Sequence, residues 1–338
     1  MVARTFSALV CCLGLFVPLA ATALPAGITP ALKQTYTRPA QIPFPDDRPF
    51  TLQKAALGKA LFFDSRLSGA ENMNCASCHN PSFGWEGPNK TAIGAQGVRL
   101  GRQAPTVLNV AWRTHFFWDG RADTAEAQAV GPIQNPMEMN LPLAEAVKRL
   151  SAIPGYKAWF EEVFPGKGVA PETIAEAIAT FERTVVASYS PFDAWIDGDE
   201  NAMPESAKRG FAFFTGSAHC SVCHTGWEFT DNKFHDIGTS QTDIGRGKLE
   251  PANISAQYAF KTPTLRDTAQ RAPYMHDGEF PDLRSVLLHY ANGIPERPSL
   301  SPELKTIHLD DQEIEDLIAF LRALTGDKKI VTLPVLPN

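Results

Sequence analysis

Residues Met73 to Trp85 read MNCASCHNPSFGW, and this stretch decides the fold. Cys75 and Cys78 stand two residues apart, with His79 directly behind them. A Cys-x-x-Cys pair alone serves zinc or a redox disulfide, whereas the added histidine is the pattern of covalent c-type haem attachment. The thiols add across the haem vinyl groups, and the imidazole is left to bind iron from one side. The pattern returns once, in HCSVCHTG, as Cys220, Cys223 and His224. Zinc competes for four cysteines and two histidines, but neither motif has a second Cys/His pair nearby at zinc-finger spacing.

The two motifs use every cysteine except Cys11 and Cys12, and those two belong to the N-terminal leader. Residues 1–23 read as a signal peptide: Arg4, then an apolar run from Phe6 to Leu19, then the small residues Ala21 to Ala23. Cleavage is expected before Leu24, and the protein is expected in the periplasm. The apolar run is short for a bilayer span, and no later stretch offers one. Four exported cysteines could instead form two disulfides, but the histidine after each pair favours haem thioethers. The formal net charge is −6, and removal of Arg4 takes it to −7. That balance argues against nucleic acid as a partner and permits a basic protein partner.

A length of 338 residues suits two domains, and the chain repeats itself. GKALFFDSRLSGAENMNCASCH (58–79) resembles KRGFAFFTGSAHCSVCH (208–224). APTVLNVAW (104–112) resembles TPTLRDTAQ (262–270), and FFWDGRADTAEAQAVGP (116–132) resembles YMHDGEFPDLRSVLLHY (274–290). The blocks keep the same order in both halves. Helical signals dominate: Pro171 to Ser188 carries Ile174, Ile178, Phe181 and Val185 at three-to-four spacing, and a helix starting at acids ends by Gly326. The spacing predicts a mainly α fold of two cytochrome c-like haem domains related by an approximate two-fold repeat, with long loops. The expected division is a first haem domain at 24–195 and a second at 196–338, cut within the Asp-, Pro- and Gly-rich stretch from Ser190 to Pro204.

The repeat also addresses the second face of each iron. Twelve residues beyond the glycines of Asp119-Gly120 and Asp277-Gly278 stand Pro132 and Tyr290. Proline has no donor atom; a tyrosine phenolate binds ferric iron, as in catalase. Haem 1 is therefore expected to be open to peroxide and haem 2 closed by Tyr290, with His289 and Met275 as rival ligands. An open haem needs a group that moves protons. Glu126, Glu138 and Glu145 are the candidates. Glu138 stands among prolines, Ile133 and two methionines, a setting that desolvates a carboxylate. Trp118 is either a core aromatic or an electron relay between the haems.

Together these blocks resemble the bacterial di-haem cytochrome c peroxidase and MauG family over nearly the whole mature chain. The motifs are the two CxxCH pairs, APTVLNV, FFWDGRA, GPIQNPMEM, FTDNKFHDIG and KTPTLRDTAQRAPYMHDG. The resemblance implies that Trp118 lies between the haems, that Gln128 and Glu138 are the distal glutamine and acid/base glutamate, and that Pro132 lies over the open iron. It also implies a calcium ion between the haems, held by the carbonyls of Arg271 and Pro273, with Gln103 where the family usually has asparagine. Ordinary peroxidases of the family carry a histidine that blocks haem 1, where this chain has Ala95, and a methionine on haem 2, where it has Tyr290. Both departures resemble MauG. That branch uses hydrogen peroxide and a high-valent di-haem state to oxidise tryptophans in another protein, as in tryptophan tryptophylquinone maturation of methylamine dehydrogenase. The surface tryptophan expected before the second CxxCH is Ala218 here, with Trp227 as a substitute exit. A related branch modifies a protein of a copper-peptide pathway. The alternatives are a peroxidase fed by a small cytochrome or cupredoxin and a non-enzymatic electron carrier.

Overall fold

A computed structural model describes residues 28–239 and 241–338. The expected signal peptide lies outside the described residues. The helices are α1 (Pro30–Thr35), α2 (Leu52–Phe62), α3 (Cys75–Cys78), α4 (Ala125–Gln134), α5 (Leu143–Ser151), α6 (Pro154–Val163), α7 (Pro171–Arg183), α8 (Pro191–Ile196), α9 (Glu205–Thr215), α10 (Leu283–Ala291) and α11 (Asp311–Ala323). Among the described residues the only sheet pairs β1 (Phe234–His235) with β2 (Phe260–Lys261), antiparallel, with Phe234 opposite Lys261. The protein is mainly α, as the sequence predicts.

Each half is built on one crossed pair of helices. In the first, α2 presents Leu57, Leu61 and Phe62 to Ile174, Ile178 and Phe181 of α7. Thr51 caps α2 by accepting from the Lys54 N–H at 3.1 Å, which satisfies an otherwise orphaned donor. The helices touch at Gly58, where a β-carbon would run into the Ala177 carbonyl. In the second half, α9 presents Phe211 and Phe214 to Ile314, Leu317 and Phe320 of α11. Its contact point is Gly210, where a β-carbon would meet the Asp316 carbonyl. Burial of each such Leu, Ile or Phe side chain contributes about 1.5–3 kcal/mol.

Helix α7 stops at Arg183, short of the predicted Ser188. The Thr184 and Val185 N–H groups still donate to the Phe181 and Glu182 carbonyls, and the backbone then pairs with Asn109. The Asn109 N–H donates to the Val185 carbonyl at 2.8 Å, and the Ala187 N–H donates to Asn109 Oδ1 at 2.9 Å.

The ends of the chain cross over. Ile28 and Tyr36 belong to the second core, where Tyr36 stacks on Phe229 at 4.9 Å. The C-terminal tail returns to the first: Leu336 packs on its core, and the Pro337 carbonyl accepts from Arg66 at 3.0 Å. The expected cut after residue 195 falls inside α8, whose Phe192 and Trp195 both lie in the second core. Cores form where apolar faces meet, and the Pro/Gly-rich loop that suggested the cut follows α8 rather than preceding it.

Candidate functional site

Two cavities lie side by side. The first, of about 450 Å³, is within the size range of cofactor sites. Cys75, Cys78 and His79 line it, as do Gln128, Pro132 and Glu138. The second, of about 210 Å³, is lined by Cys220, Cys223, His224, Met275 and Tyr290. Trp118, Gln103, Glu86, Lys261, Pro263 and Arg271 line both, so they form the wall between them.

Each attachment motif is presented by a short helical turn. Asn74 caps α3 in a reciprocal pair with Ser77, and Cys220 opens a single 3₁₀ turn. All four cysteines are free thiols, not disulfides. Burial pushes the His79 imidazole down to about 4, and it lowers His224 as well, so both rings are neutral and available to a metal. His224 Nδ1 is 2.8 Å from the Phe229 carbonyl, which directs Nε2 to the cavity. Buried His79 Nδ1 has no hydrogen-bond partner of full geometry. Free thiol pairs beside neutral histidines on the walls of two cavities fit two c-type haems.

Pro132 and Tyr290 stand in register. Helix α4 is capped by Thr124 and α10 by Asp282, and each residue is the eighth of its helix. The hairpins preceding the two helices match as well, with bridges Phe116 to Ala122 and Tyr274 to Phe280. Gln128 and Val286, each fourth in its helix, line their respective cavities. Burial pushes the Tyr290 hydroxyl well above the usual phenol range, with the Cys220 and Cys223 thiols adding to it. Of the rivals, Met275 lines the same cavity, whereas His289 does not and instead lies 2.8 Å from the Ile237 carbonyl through Nε2.

The acid candidates separate. Glu126 is locked onto Arg183 at 2.8 and 3.1 Å; burial opposes its ionisation, but this pairing outweighs it and holds the carboxyl below the usual range. Glu145 lies near Lys148 at 3.5 Å and lines neither cavity. Glu138 lines the first cavity and is raised by burial, against the opposing pull of Arg121 and Asn135. Asn135 Nδ2 donates to its Oε1 at 2.9 Å. The loop of Ala95 is tied down here, since the Ala95 N–H donates to the Glu138 carbonyl at 2.7 Å.

Trp118 is 8% exposed and fixed at both ends. Its indole N–H donates to the Gln103 carbonyl at 2.9 Å, and its own carbonyl accepts from Lys261 N at 2.8 Å. Ala218 is buried on the second cavity. Trp227 lines neither cavity and packs edge-on to Trp112 at 4.6 Å, with the Arg38 and Arg266 guanidiniums over its ring.

Of the expected calcium ligands, the Gln103 side chain and the Arg271 and Pro273 carbonyls, the Gln103 side chain does not fit an ion. Gln103 Nε2 donates to the Pro273 carbonyl at 2.7 Å, placing an N–H where an oxygen ligand is required. The Arg271 guanidinium donates to Glu86 at 2.6 Å and to the Thr264 carbonyl at 2.5 Å.

Sequence reasoning missed several charged residues. Glu182 lines the first cavity, and burial pushes its carboxyl up to about 8. It stands four residues after Ile178 on the buried stripe of α7, and an acid on an apolar stripe was the available signal. Buried Lys261 and Arg113 line the first cavity too, and burial lowers both. They lie outside the helices, where periodicity gives no warning. Carboxylates such as haem propionates are suitable partners for them.

Comparison with known proteins gives the family. Residues 52–201 match the di-haem cytochrome c peroxidase family and residues 207–325 match cytochrome c. The methylamine utilization protein MauG of Methylorubrum extorquens is 49% identical, over 91% of this chain and 88% of that protein. The cytochrome c551 peroxidase of Nitrosomonas europaea is 37% identical, over 86% of this chain and 85% of its own. The crystal structure of a MauG-like protein associated with microbial copper homeostasis superposes with a TM-score of 0.79 at 28% identity, covering 90% of this chain and 96% of that one.

Proposed function

The chain belongs to the di-haem cytochrome c peroxidase and MauG family and is a haem-dependent oxidoreductase with two c-type haems, and from that premise we propose that it uses hydrogen peroxide to oxidise tryptophan side chains of a protein substrate in the periplasm. A methylamine dehydrogenase precursor is the substrate that suits the relative from Methylorubrum extorquens. The bound haems supply the redox chemistry with peroxide. The rest falls to the protein.

The observation that carries the reading is the register of Pro132 and Tyr290 on α4 and α10. A side chain with no donor faces one attachment motif, and a phenol faces the other. His79, Cys75 and Cys78 would hold the first haem, and Pro132, on the same cavity, offers it no ligand atom. Cys220, Cys223 and His224 would hold the second, with the Tyr290 phenol as a further ligand. Glu138, oriented by Asn135, would give and take protons in this cavity, while Gln128 adds an amide to it. Trp118, buried in the shared wall, links the two cavities, so a protein substrate need not enter either.

The test is Tyr290→Phe in the haem-loaded protein. Two haems should remain, with an altered spectrum at the second and loss of tryptophan oxidation on a methylamine dehydrogenase precursor. An unchanged second-haem spectrum would transfer the ligand role to Met275. Rapid peroxide turnover by the wild type with a reduced small cytochrome or cupredoxin, without tryptophan oxidation, would replace the proposed function by that of a peroxidase.

A further inference from the structure

Gln103 is 2% exposed and touches both halves of the molecule with its backbone and its side chain. Its N–H donates to the His276 carbonyl at 2.7 Å, and its carbonyl accepts the Trp118 indole N–H at 2.9 Å. Its side-chain Nε2 donates to the Pro273 carbonyl at 2.7 Å and more distantly to the Gly87 carbonyl at 3.4 Å. Backbone carbonyls only accept, so the amide nitrogen must face both and the amide oxygen must face away. Calcium demands the reverse: roughly six to eight oxygens at about 2.3–2.6 Å, none carrying a proton toward the ion.

Charge points the same way. The nearby carboxylate of Glu86 is spent on Arg271 at 2.6 Å. Arg271 and Lys261 are buried in the same wall, with Arg113 close to both. Buried Glu228 faces Arg113 and Lys261 in turn, so a divalent cation here would meet like charge and acids already set opposite cations. An asparagine, one methylene shorter, would leave the Pro273 carbonyl without this partner and with space for an ion.

We propose that the Gln103 side-chain amide takes the place of the calcium ion as the clamp between the two haem sites, so that Trp118 and both haems keep their arrangement without calcium. The proposal does not depend on which substrate is oxidised, and its readouts are metal content and haem spectra rather than turnover.

The haem-loaded protein is dialysed against a calcium chelator, its metal content is measured by plasma mass spectrometry, and both haems are followed by electron paramagnetic resonance. Calcium well below one ion per chain is expected, with the same haem signals before chelation, after chelation and after added calcium. One retained calcium per chain, or haem signals that change on chelation and return with calcium, would overturn the proposal. Gln103→Asn is expected to gain about one calcium per chain and calcium-dependent haem signals. Gln103→Glu keeps the length and loses the donor; it serves where the asparagine variant fails to load haem and should gain the same dependence. If these variants stay calcium-free with wild-type signals, Gln103 is not the clamp.

Discussion

Glu138 shows how one carboxylate is set apart from its neighbours. Glu126 has Arg183 at 2.8 Å and is held ionised, whereas Glu138 has a neutral amide donor at 2.9 Å, partial burial and only the weaker pull of Arg121. Positioned acid–base groups are typically worth about 10²–10⁴ in rate. Glu138→Gln is expected to slow the reaction with peroxide by about that factor with haem content unchanged, as measured by stopped-flow absorbance. Its pKa is raised, so the proton-accepting form is lost as pH falls through a value above the ordinary glutamate value of about 4.3. The rate should therefore decline on the acid side in the wild type, and this decline should vanish in Glu138→Gln. The sequence singled out Glu138 because prolines and methionines surround it. It could not show Asn135 turning back onto the carboxylate, because a three-residue loop contact leaves no periodic trace. Nor did it show Gln103 donating to Pro273, a contact that spans 170 positions.

Among the elements, α2, α5 and α6 are tied together near Asp64, the residue that caps the turn after α2. Asp64 accepts from Arg66 at 2.7 to 3.0 Å and from the Tyr156 hydroxyl of α6 at 2.6 Å. Arg149 of α5 donates to the carbonyls of Arg66 and Ser68 at 2.7 and 2.9 Å. Burial alone would raise the Asp64 pKa, but the Arg66 and Tyr156 bonds outweigh it and hold the carboxyl below its usual range. A depressed folded pKa means the contribution is fully present above the unfolded value of about 3.9 and is lost as pH falls through the folded one. Asp64→Asn should cost about 3 kcal/mol near neutral pH, and the two proteins should converge in acid, as read from denaturant melts across pH. Helices α7 and α11 were legible from spacing, whereas their partners α2 and α9 showed only as repeated blocks. The true end of α7 was not legible, because Asn109 decides it from 76 positions away.

For the whole molecule, two cavities share one wall, and each half needs its own haem to fill its cavity. Cys220→Ser with Cys223→Ser should lower haem content from two per chain to one after acid extraction, and should loosen the second core around Phe229 and Phe320. A variant chain retaining two covalent haems would overturn that expectation. The two-fold repeat and the two haem sites were legible because duplicated blocks keep their order, and the same alignment set the chemically unlike Pro132 and Tyr290 at matched positions. The wall between the sites was not legible, since Glu86, Lys261 and Arg271 come together only when the loops of both halves fold against each other.

The crossing of the chain ends bears on the order in which the molecule can be finished. A polypeptide is synthesised from its N-terminus, and domains generally close as their last residues appear. The first half completes some of its contacts late on that schedule. Arg66 awaits the Pro337 carbonyl and Gly155 awaits that of Asn338, while Tyr36, made early, has its stacking partner only when Phe229 arrives. Neither half is complete until both exist. The last contacts of the first half, at Arg66 and Gly155, therefore form only after Cys220 and Cys223 have been made.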